Sequence, residues 1–180
     1  ICNKSTHVIY NSEYTKERYD NYVNVPSSII KLGTDSDLFS PSKDRTTKKE
    51  TIIFIGSSNE EFKGFSMMNN IIESNDYDFI LVMKDSYSTS HPRIKVYNKI
   101  NQYQLSKLIN QSDLLVCTSR KETLHLAGIE AMFCNLPVVT NDVGIYAEIK
   151  KDKRWGKVVD KYNLTCYNNS IVEILNNKSL

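Results

Sequence analysis

Two kinds of hydrophobic pattern alternate along the chain. Short runs made almost entirely of apolar residues predict β-strands that are buried on both faces. The predicted strands cover residues 6–10, 28–32, 51–56, 78–83, 91–97, 112–119, 136–140 and 156–159. Between them, apolar residues recur every three or four positions, which predicts amphipathic helices. These helices cover residues 12–22, about 64–74, 102–111, 124–135, 145–151 and 168–177.

Polar segments separate some of these elements. Ser12 precedes the first helix and is its expected N-cap. Residues 34–50 are polar, contain a proline and mix both charges, so they are expected to form a loop or linker.

The alternation of strands and helices predicts the fold class. Strands that are joined through helices form a parallel sheet, and the helices then cover both of its faces. The sequence therefore predicts an α/β domain with a doubly wound, Rossmann-like parallel sheet. Such sheets bind ligands at the carboxyl ends of their strands. A site is accordingly expected in the loops after Gly56, Met83, Tyr97 and Thr118.

The composition narrows the classes of function. The chain has 180 residues, of which 40% are hydrophobic and 24% are charged, and its formal net charge is +2. The sequence has no basic stripe of the kind that binds nucleic acid, and no apolar run approaches the roughly 18 residues of a membrane span. The four cysteines are scattered without a CxxC pair, and Cys117 and Cys134 are expected in the core. A cytoplasmic location is expected, with attachment to a membrane surface as the alternative.

Two glutamates interrupt the largely apolar segment 120–140. Glu122 and Glu130 are eight residues apart, which on one helix would place them roughly 80° apart around the axis. Glu122 is instead expected in a loop, and Glu130 about two turns inside a helix that begins near Leu124 or His125. The unpaired N–H groups at that helix start form a natural anion site. This layout suits a nucleotide sugar, although two solvated glutamates beside an ordinary helix remain the alternative.

The residues around the two glutamates resemble a known family motif. The segment resembles the E-x7-E motif of family-4 glycosyltransferases, a group with the GT-B fold. The matching positions are Ser119, Glu122, Glu130, Ala131, Met132, Pro137, Val138, Val139 and Gly144. Three further segments resemble parts of that family. Residues 29–41 resemble its linker, residues 54–65 its phosphate loop, and residues 93–119 its base-side strand with the helix and strand that follow. All four segments occur in the family's order.

The resemblance implies the C-terminal, donor-binding domain of a retaining glycosyltransferase. Such an enzyme transfers a sugar from a nucleoside diphosphate to an acceptor hydroxyl without a bound metal, so no cofactor is expected. Glu122 is implied as the catalytic residue, which would hold donor-sugar hydroxyls and favour the positive charge at the anomeric carbon. Glu130 would anchor the ribose, and Lys63 would contact the diphosphate and stabilise the leaving group.

Other donor contacts follow from the same resemblance. They are Gly56 in the phosphate loop, Asn98 and Lys99 near the base, and the turn Thr123, Leu124, His125 and Leu126. The base itself is expected against residues 97–100. Asp35 and Asp37 also form a DxD sequence, which suggests a metal-dependent alternative, but they lie in the linker pattern and not at the end of a strand.

Some positions depart from the family pattern. Ser57 and Ser58 stand where the family often has an arginine, so one phosphate-neutralising charge is missing. His125 is bulkier than the glycine often found there, whereas Thr123 is expected to cap the helix. Asn135 replaces a glycine at the helix end, and asparagine is the next-best residue for a left-handed cap.

The resemblance also predicts the domain organisation. Residues 1–28 are expected to be the end of a preceding N-terminal domain or a crossover segment, and residues 29–180 the nucleotide-sugar-binding domain. The expected partners are a nucleoside-diphosphate sugar, a glycan or lipid-linked acceptor, and a missing acceptor-binding domain, but no nucleic acid. The chain begins with Ile1, and a piece of a longer enzyme is expected.

Several alternatives stay open. One is a non-catalytic nucleotide-sugar-binding subunit that needs a partner chain. Another is a phosphorylase-like or epimerase-like half, and a third is a plain doubly wound domain that binds some other anion. The donor base and the sugar are not specified by the sequence.

Overall fold

The computed structural model describes residues 4–42 and 49–177. Its strands are β1 (Val8–Tyr10), β2 (Ser27–Ile29), β3 (Thr51–Gly56), β4 (Asp78–Met83), β5 (Ile94–Asn98), β6 (Leu114–Cys117), β7 (Val138–Thr140) and β8 (Gly156–Val158). Its α-helices are α1 (Glu13–Tyr19), α2 (Phe65–Ser74), α3 (Gln102–Asn110), α4 (Leu126–Phe133), α5 (Ile145–Ile149) and α6 (Leu164–Asn176). Part of the predicted linker, residues 43–48, lies outside the described residues. No helix in the described ranges has the length and apolar character needed to cross a bilayer.

Six parallel strands form the main sheet, and they confirm the predicted fold class. Their order is β5-β4-β3-β6-β7-β8. Along the chain, β4 and then β5 are added on one side of β3. The chain then crosses to the other side of β3, where β6, β7 and β8 follow in order. This reversal creates a crevice at the carboxyl ends of β3 and β6, which is where doubly wound sheets bind ligands.

Both faces of the main sheet are buried. Along β3, Ile53 belongs to a core cluster with residues of α3, α4 and α5, whereas Ile52 and Phe54 join a second cluster with residues of α2 and α6. On the neighbouring β6, Leu115 belongs to the first cluster and Leu114 to the second. Because successive side chains of a strand point to opposite faces, two-sided burial requires unbroken apolar runs.

Two helix starts differ from the prediction. Helix α4 begins at Leu126 instead of residue 124, because Leu124 is buried in the core and His125 has a left-handed φ of 67°. Thr123 is therefore not its N-cap, and no side chain caps this helix. Helix α6 begins at Leu164 instead of residue 168, because the Asn163 side chain accepts a hydrogen bond from the Cys166 backbone N–H.

The N-terminal segment forms a small unit of its own beside the main sheet. Strands β1 and β2 pair in parallel as a separate two-stranded sheet. The predicted boundary between residues 28 and 29 falls inside β2. Ser12 is the N-cap of α1, as predicted, and accepts a hydrogen bond from the Thr15 N–H at 3.1 Å. The hydroxyls of Ser12 and Thr15 both donate to the carbonyl oxygen of Thr123, so α1 is fastened to the loop after β6.

Replacing Ser12 with alanine is expected to lower the free energy of unfolding by about 1–2 kcal/mol, since the change removes an N-cap and leaves the Thr123 carbonyl oxygen with one donor fewer. Urea denaturation measures the loss. Ser88→Ala is the matched control, because Ser88 is exposed. Equal midpoints for the two variants would show that the Ser12 contacts contribute nothing.

Candidate functional site

A cleft opens at the carboxyl ends of β3 and β4, beside the loop after β6. Its cavity volume is about 480 Å³. Its polar lining consists of Ser57, Glu60, Lys63, Lys84, Lys99, Glu122 and His125. Its apolar lining consists of Ile55, Gly56, Val82, Met83, Ile100, Leu105, Leu126 and Ala127. An apolar wall facing several lysines suits a ligand that combines a ring system with negative charge.

The loop after β3 is held against the end of β6. It passes through a 3₁₀ turn at Glu61–Lys63 and then reaches Gly64, whose φ is 69°. A Cβ at Gly64 would lie 2.0 Å from the carbonyl oxygen of Thr118, so a larger residue would require the backbone to move. The Thr118 hydroxyl donates to the carbonyl oxygens of Lys63 and Gly64, at 3.1 and 3.0 Å. These contacts fix the position from which Lys63 enters the cleft.

Lys63 and Glu122 form an ion pair in this cleft. The distance from Nζ to Oε1 is 2.8 Å, and the side chains are only 22% and 11% exposed. The pair joins the loop after β3 to the loop after β6. An anionic ligand that reaches Lys63 competes with Glu122 for the ammonium group, and the released carboxylate can then accept hydrogen bonds from ligand hydroxyls.

The start of α4 supplies backbone donors to the same cleft. His125 occupies the N-cap position with φ 67° and ψ 71°, and Leu126 and Ala127 follow it as the first helical residues. The N–H groups of Leu126 and Ala127 have no intrahelical acceptor, whereas the Gly128 N–H binds the His125 carbonyl oxygen at 3.1 Å. The helix dipole adds positive potential at this end. The cleft therefore combines Lys63 with a helix N-terminus, which is favourable for a phosphate group.

His125 is buried beneath the cleft and held by Tyr146. The distance from its Nδ1 to the Tyr146 hydroxyl oxygen is 2.5 Å, and His125 is 7% exposed. Gly128 makes this contact possible, because a Cβ there would lie 1.7 Å from the Tyr146 hydroxyl oxygen. Burial lowers the pKa of His125, but Cys117 and Glu122 together outweigh burial, so this pKa is raised. Burial raises the pKa of Cys117, yet His125 leaves the pKa of that thiol lowered.

Glu130 lies on α4, one turn after Leu126 and Ala127, and it is only 5% exposed. Its carboxylate makes no hydrogen bond or ion pair with residues 4–42 or 49–177. Burial raises the pKa of Glu130 to about 7. The nearby His125 acts in the opposite direction on this pKa. A largely buried carboxylate without a hydrogen-bond donor is costly, so its presence favours a ligand whose donors would satisfy it.

A second cavity, of about 610 Å³, adjoins the cleft on the side of α1. Its lining consists of Tyr14, Thr15, Arg18, Tyr19, Phe62, Arg120, Lys121, Glu122 and Thr123. Glu122 lines both cavities. Groups bound in the two cavities would therefore meet at this carboxylate.

Comparison with known proteins identifies the family. The model for glycosyl transferases group 1 matches residues 35–180 of the chain. The chain belongs to this glycosyltransferase family. The "uncharacterized 41.2 kDa protein in cps region" of Klebsiella pneumoniae is 26% identical over 141 residues, which are 74% of this chain and 38% of that protein.

Solved structures show the same fold. Sucrose-phosphate synthase from Thermosynechococcus elongatus superposes with a TM-score of 0.86 at 19% identity, over 98% of this chain and 50% of that one. Anabaena HepE, solved in complex with UDP and glucose, gives a TM-score of 0.77 at 18% identity, over 97% of this chain and 54% of that one. The chain thus spans about half the length of these GT-B glycosyltransferases.

The glycosyltransferase domain brings most of the predicted site residues together. Six of them line the cleft: Gly56, Lys63, Lys99, Glu122, His125 and Leu126. Thr123 lines the second cavity, whereas Leu124, which is buried in the core, and Glu130 line neither cavity. The Asn98 side-chain amide accepts a hydrogen bond from the Tyr87 N–H at 3.2 Å and donates one to the Tyr87 carbonyl oxygen at 2.9 Å. Asn98 is not in the cleft lining. Asn135 has the predicted left-handed conformation, with φ 55°.

The linker aspartates act within their own turn. The Asp35 carboxylate accepts hydrogen bonds from the backbone N–H groups of Asp37 and Leu38, at 3.0 and 3.2 Å. This arrangement explains the DxD sequence as a turn at the linker.

Sequence reasoning missed several residues of the site in this glycosyltransferase domain. Asp85 accepts hydrogen bonds from the backbone and hydroxyl of Ser58, and the hydroxyl bond is the main reason why the pKa of Asp85 is lowered. Lys84 lines the cleft and pairs with Glu60 at 2.7 Å. Tyr146 also went unnoticed, because an apolar helix gives no signal that one hydroxyl faces a histidine. Lys84 and Asp85 directly follow β4, and that position was the available signal.

Proposed function

We propose that this chain is the donor-binding part of a retaining glycosyltransferase that uses a nucleoside-diphosphate sugar. The observation that carries the proposal is Glu130, a carboxylate on the helix whose first turn lines the cleft. The residue is only 5% exposed, and its carboxylate has no hydrogen-bond donor among residues 4–42 and 49–177. Two ribose hydroxyls would supply the donors that this carboxylate lacks. Its raised pKa fits the same role, because a ligand that donates hydrogen bonds restores the charged form.

The diphosphate would bind between Lys63 and the first turn of α4. In the free protein, Lys63 is neutralised by Glu122 at 2.8 Å. A diphosphate would take Lys63 as its counterion and would also accept hydrogen bonds from the N–H groups of Leu126 and Ala127. The nucleobase would lie along the apolar wall, next to Ile100 and Leu105. Lys63 and the helix dipole would then stabilise the negative charge of the departing nucleoside diphosphate without a metal.

Glu122 would act at the sugar. When the bond between the anomeric carbon and the phosphate oxygen breaks, positive charge develops at that carbon. A carboxylate released from Lys63 would stabilise this charge and hold sugar hydroxyls. Because Glu122 lines both cavities, an acceptor hydroxyl would approach from the cavity beside α1.

The complete reaction would need more than these residues. The solved relatives are about twice as long as this chain, which supports an acceptor-binding domain N-terminal to it, either on the same polypeptide or on a partner. A glycan or lipid-linked acceptor would bind there, in the cytoplasm or at the membrane surface. HepE was solved with UDP and glucose, and this supports a UDP-sugar as the first donor to test.

A second candidate is a nucleotide-sugar-binding domain that does not catalyse transfer. The observation that favours it lies in the loop after β3, where Ser57 and Ser58 stand in place of the family's frequent arginine and Ser58 binds the Asp85 carboxylate. The loop therefore lacks the positive charge that would assist the leaving group, and its Ser58 is engaged by a carboxylate. Measuring hydrolysis of the donor alongside its binding separates the two candidates.

The direct test is a titration of the chain with UDP-, GDP- and ADP-sugars, followed by thermal unfolding. A ligand at 100 times its dissociation constant adds about 2.7 kcal/mol to stability. We expect one nucleotide to bind in EDTA as well as it does in Mg²⁺. Equal stabilisation by inorganic phosphate would instead indicate a general anion site and would contradict the proposal.

Replacing Lys63 with methionine is expected to weaken nucleotide binding about 10- to 100-fold, because charge-assisted hydrogen bonds contribute about 1.5–3 kcal/mol each. Isothermal titration calorimetry with UDP measures the change. Lys161→Met is the control, since Lys161 is exposed and does not line either cavity. Unchanged affinity in Lys63→Met would remove Lys63 from the diphosphate site.

A further inference from the structure

We propose that Cys117, Glu122 and His125 form a binding site for a thiophilic divalent cation, with Zn²⁺ as the representative ion. The three residues come from the end of β6, the loop after it and the N-cap of α4. Each offers one ligand atom, and these atoms lie within 4.8 Å of one another. Within residues 4–42 and 49–177, this is the one group of three potential ligands that approach so closely.

The spacing of the three atoms suits a small metal ion. An ion at the centre of a triangle with sides of at most 4.8 Å lies no more than about 2.8 Å from each corner, whereas Zn²⁺ binds sulfur at about 2.3 Å and nitrogen or oxygen at about 2.0–2.2 Å. Side-chain shifts of roughly half an ångström would therefore complete the bonds. Thiolate and imidazole ligands favour Zn²⁺ over Mg²⁺ and Ca²⁺, which prefer oxygen.

Tyr146 prepares His125 for this role. Its hydroxyl is 2.5 Å from Nδ1 of the imidazole and engages that nitrogen. In the metal-binding tautomer Nδ1–H donates to the Tyr146 hydroxyl oxygen, which fixes the orientation of the ring and leaves Nε2 without a proton and available to the metal. Histidine ligands of metals are commonly held in this way.

The ion would have access from the cleft. Glu122 and His125 both line it, whereas Cys117 lies deeper and is 3% exposed. Three protein ligands leave the fourth tetrahedral position open towards the cleft. The cation would displace Lys63 from Glu122, and the thiol would lose its proton on binding.

This site would make the cation an inhibitor, a consequence that rests on the proposed function. The ion would hold Glu122 away from the sugar and would displace Lys63, which we assign to the diphosphate. Zn²⁺ and a nucleoside-diphosphate sugar would then exclude each other. The reaction itself would still need no metal.

The test uses Co²⁺ as a spectroscopic substitute for Zn²⁺ in protein kept reduced with a phosphine. We expect one ion per chain, intense visible bands of a tetrahedral site, and a thiolate-to-metal charge-transfer band in the near ultraviolet. Excess Zn²⁺ should abolish these bands. Weak octahedral bands without charge transfer would overturn the proposal.

Matched variants assign the ligands. Cys117→Ser should remove the charge-transfer band and weaken Zn²⁺ binding by more than about 100-fold, because loss of even an outer-shell partner commonly costs about 10- to 100-fold. Cys134→Ser changes another buried cysteine and should bind like the parent protein. Tyr146→Phe should weaken binding about 10- to 100-fold while keeping the band. Equal affinity in Cys117→Ser and Cys134→Ser would exclude the site.

Two further measurements separate this proposal from the proposed function. His125→Gln provides a second ligand variant if circular dichroism shows that Cys117→Ser does not fold, and it should lose the tetrahedral bands. Zn²⁺ binding without any nucleotide binding would refute the proposed function and leave the metal site standing. Nucleotide affinity that is unchanged at saturating Zn²⁺ would refute the inhibition.

Discussion

Replacing Glu130 with glutamine is expected to weaken UDP binding about 10- to 100-fold, because a neutral amide accepts the ribose hydrogen bonds less strongly than a carboxylate. The same change is expected to stabilise the free protein above neutral pH. Burial raises the pKa of Glu130 to about 7 from an ordinary value of 4.5. The folded state thus holds more protons than the unfolded state between these two values, and stability falls as the pH rises through that window.

The size of this pH effect follows from the pKa difference. Ionising Glu130 in the folded state lowers the free energy of unfolding by at most about 3 kcal/mol. This loss is complete slightly above pH 7. Urea denaturation between pH 4.5 and pH 8 should show this loss in the parent protein, whereas Glu130→Gln should show a flatter profile.

Glu73→Gln is the control, because Glu73 is exposed on α2. It should follow the parent protein in both stability and UDP affinity. If Glu130→Gln keeps full UDP affinity, the ribose assignment is wrong. If its pH profile matches that of the parent protein, the Glu130 carboxylate is not the group that titrates near neutrality.

Replacing Gly64 with alanine is expected to lower the free energy of unfolding by about 3 kcal/mol or more, since the new Cβ would clash with a backbone oxygen in a left-handed conformation. The Cβ would lie 2.0 Å from the Thr118 carbonyl oxygen and 2.6 Å from the Tyr162 hydroxyl. The melting temperature should fall by about 6–12 °C for a domain of this size. UDP binding should weaken as well, because the displaced loop carries Lys63.

Gly33→Ala provides the matched control for this variant. Nothing lies within 4 Å of a Cβ at Gly33, and that residue is exposed. Its melting temperature should stay within about 2 °C of the parent value. Equal melting temperatures for Gly64→Ala and Gly33→Ala would show that the loop after β3 is not held rigidly against β6.

The strands were predictable where apolar runs are bounded sharply by polar residues. The structure gives β3 as Thr51–Gly56 and β4 as Asp78–Met83, and both match the predicted ranges. The start of α4 was not predictable, because a left-handed histidine leaves no mark in the sequence. The apolar pattern continued through Leu124, which is buried for tertiary reasons and not as part of a helix.

Most of the residues that line the cleft with predicted roles were recognisable as single positions in the sequence, but their network of contacts was not. The sequence motifs pointed to Lys63 and Glu122 separately, and only the sheet order brings these residues, 59 positions apart, to 2.8 Å. The residues that contact the site from below were not predictable either, because their contacts join positions that are far apart in the sequence. The Tyr146–His125 contact spans 21 residues and the Ser58–Asp85 contact spans 27, and neither has a local pattern.

The attachment of α1 has a mechanical consequence for Glu122. The hydroxyls of Ser12 and Thr15 donate to the carbonyl oxygen of Thr123, which directly follows Glu122 in the chain. Glu148 strengthens the attachment, because it accepts a hydrogen bond from the Tyr14 N–H at 3.2 Å and pairs with Lys31 at 2.6 Å. A rigid-body displacement of residues 4–31 would therefore move the peptide beside Glu122 and alter the distance between Glu122 and Lys63.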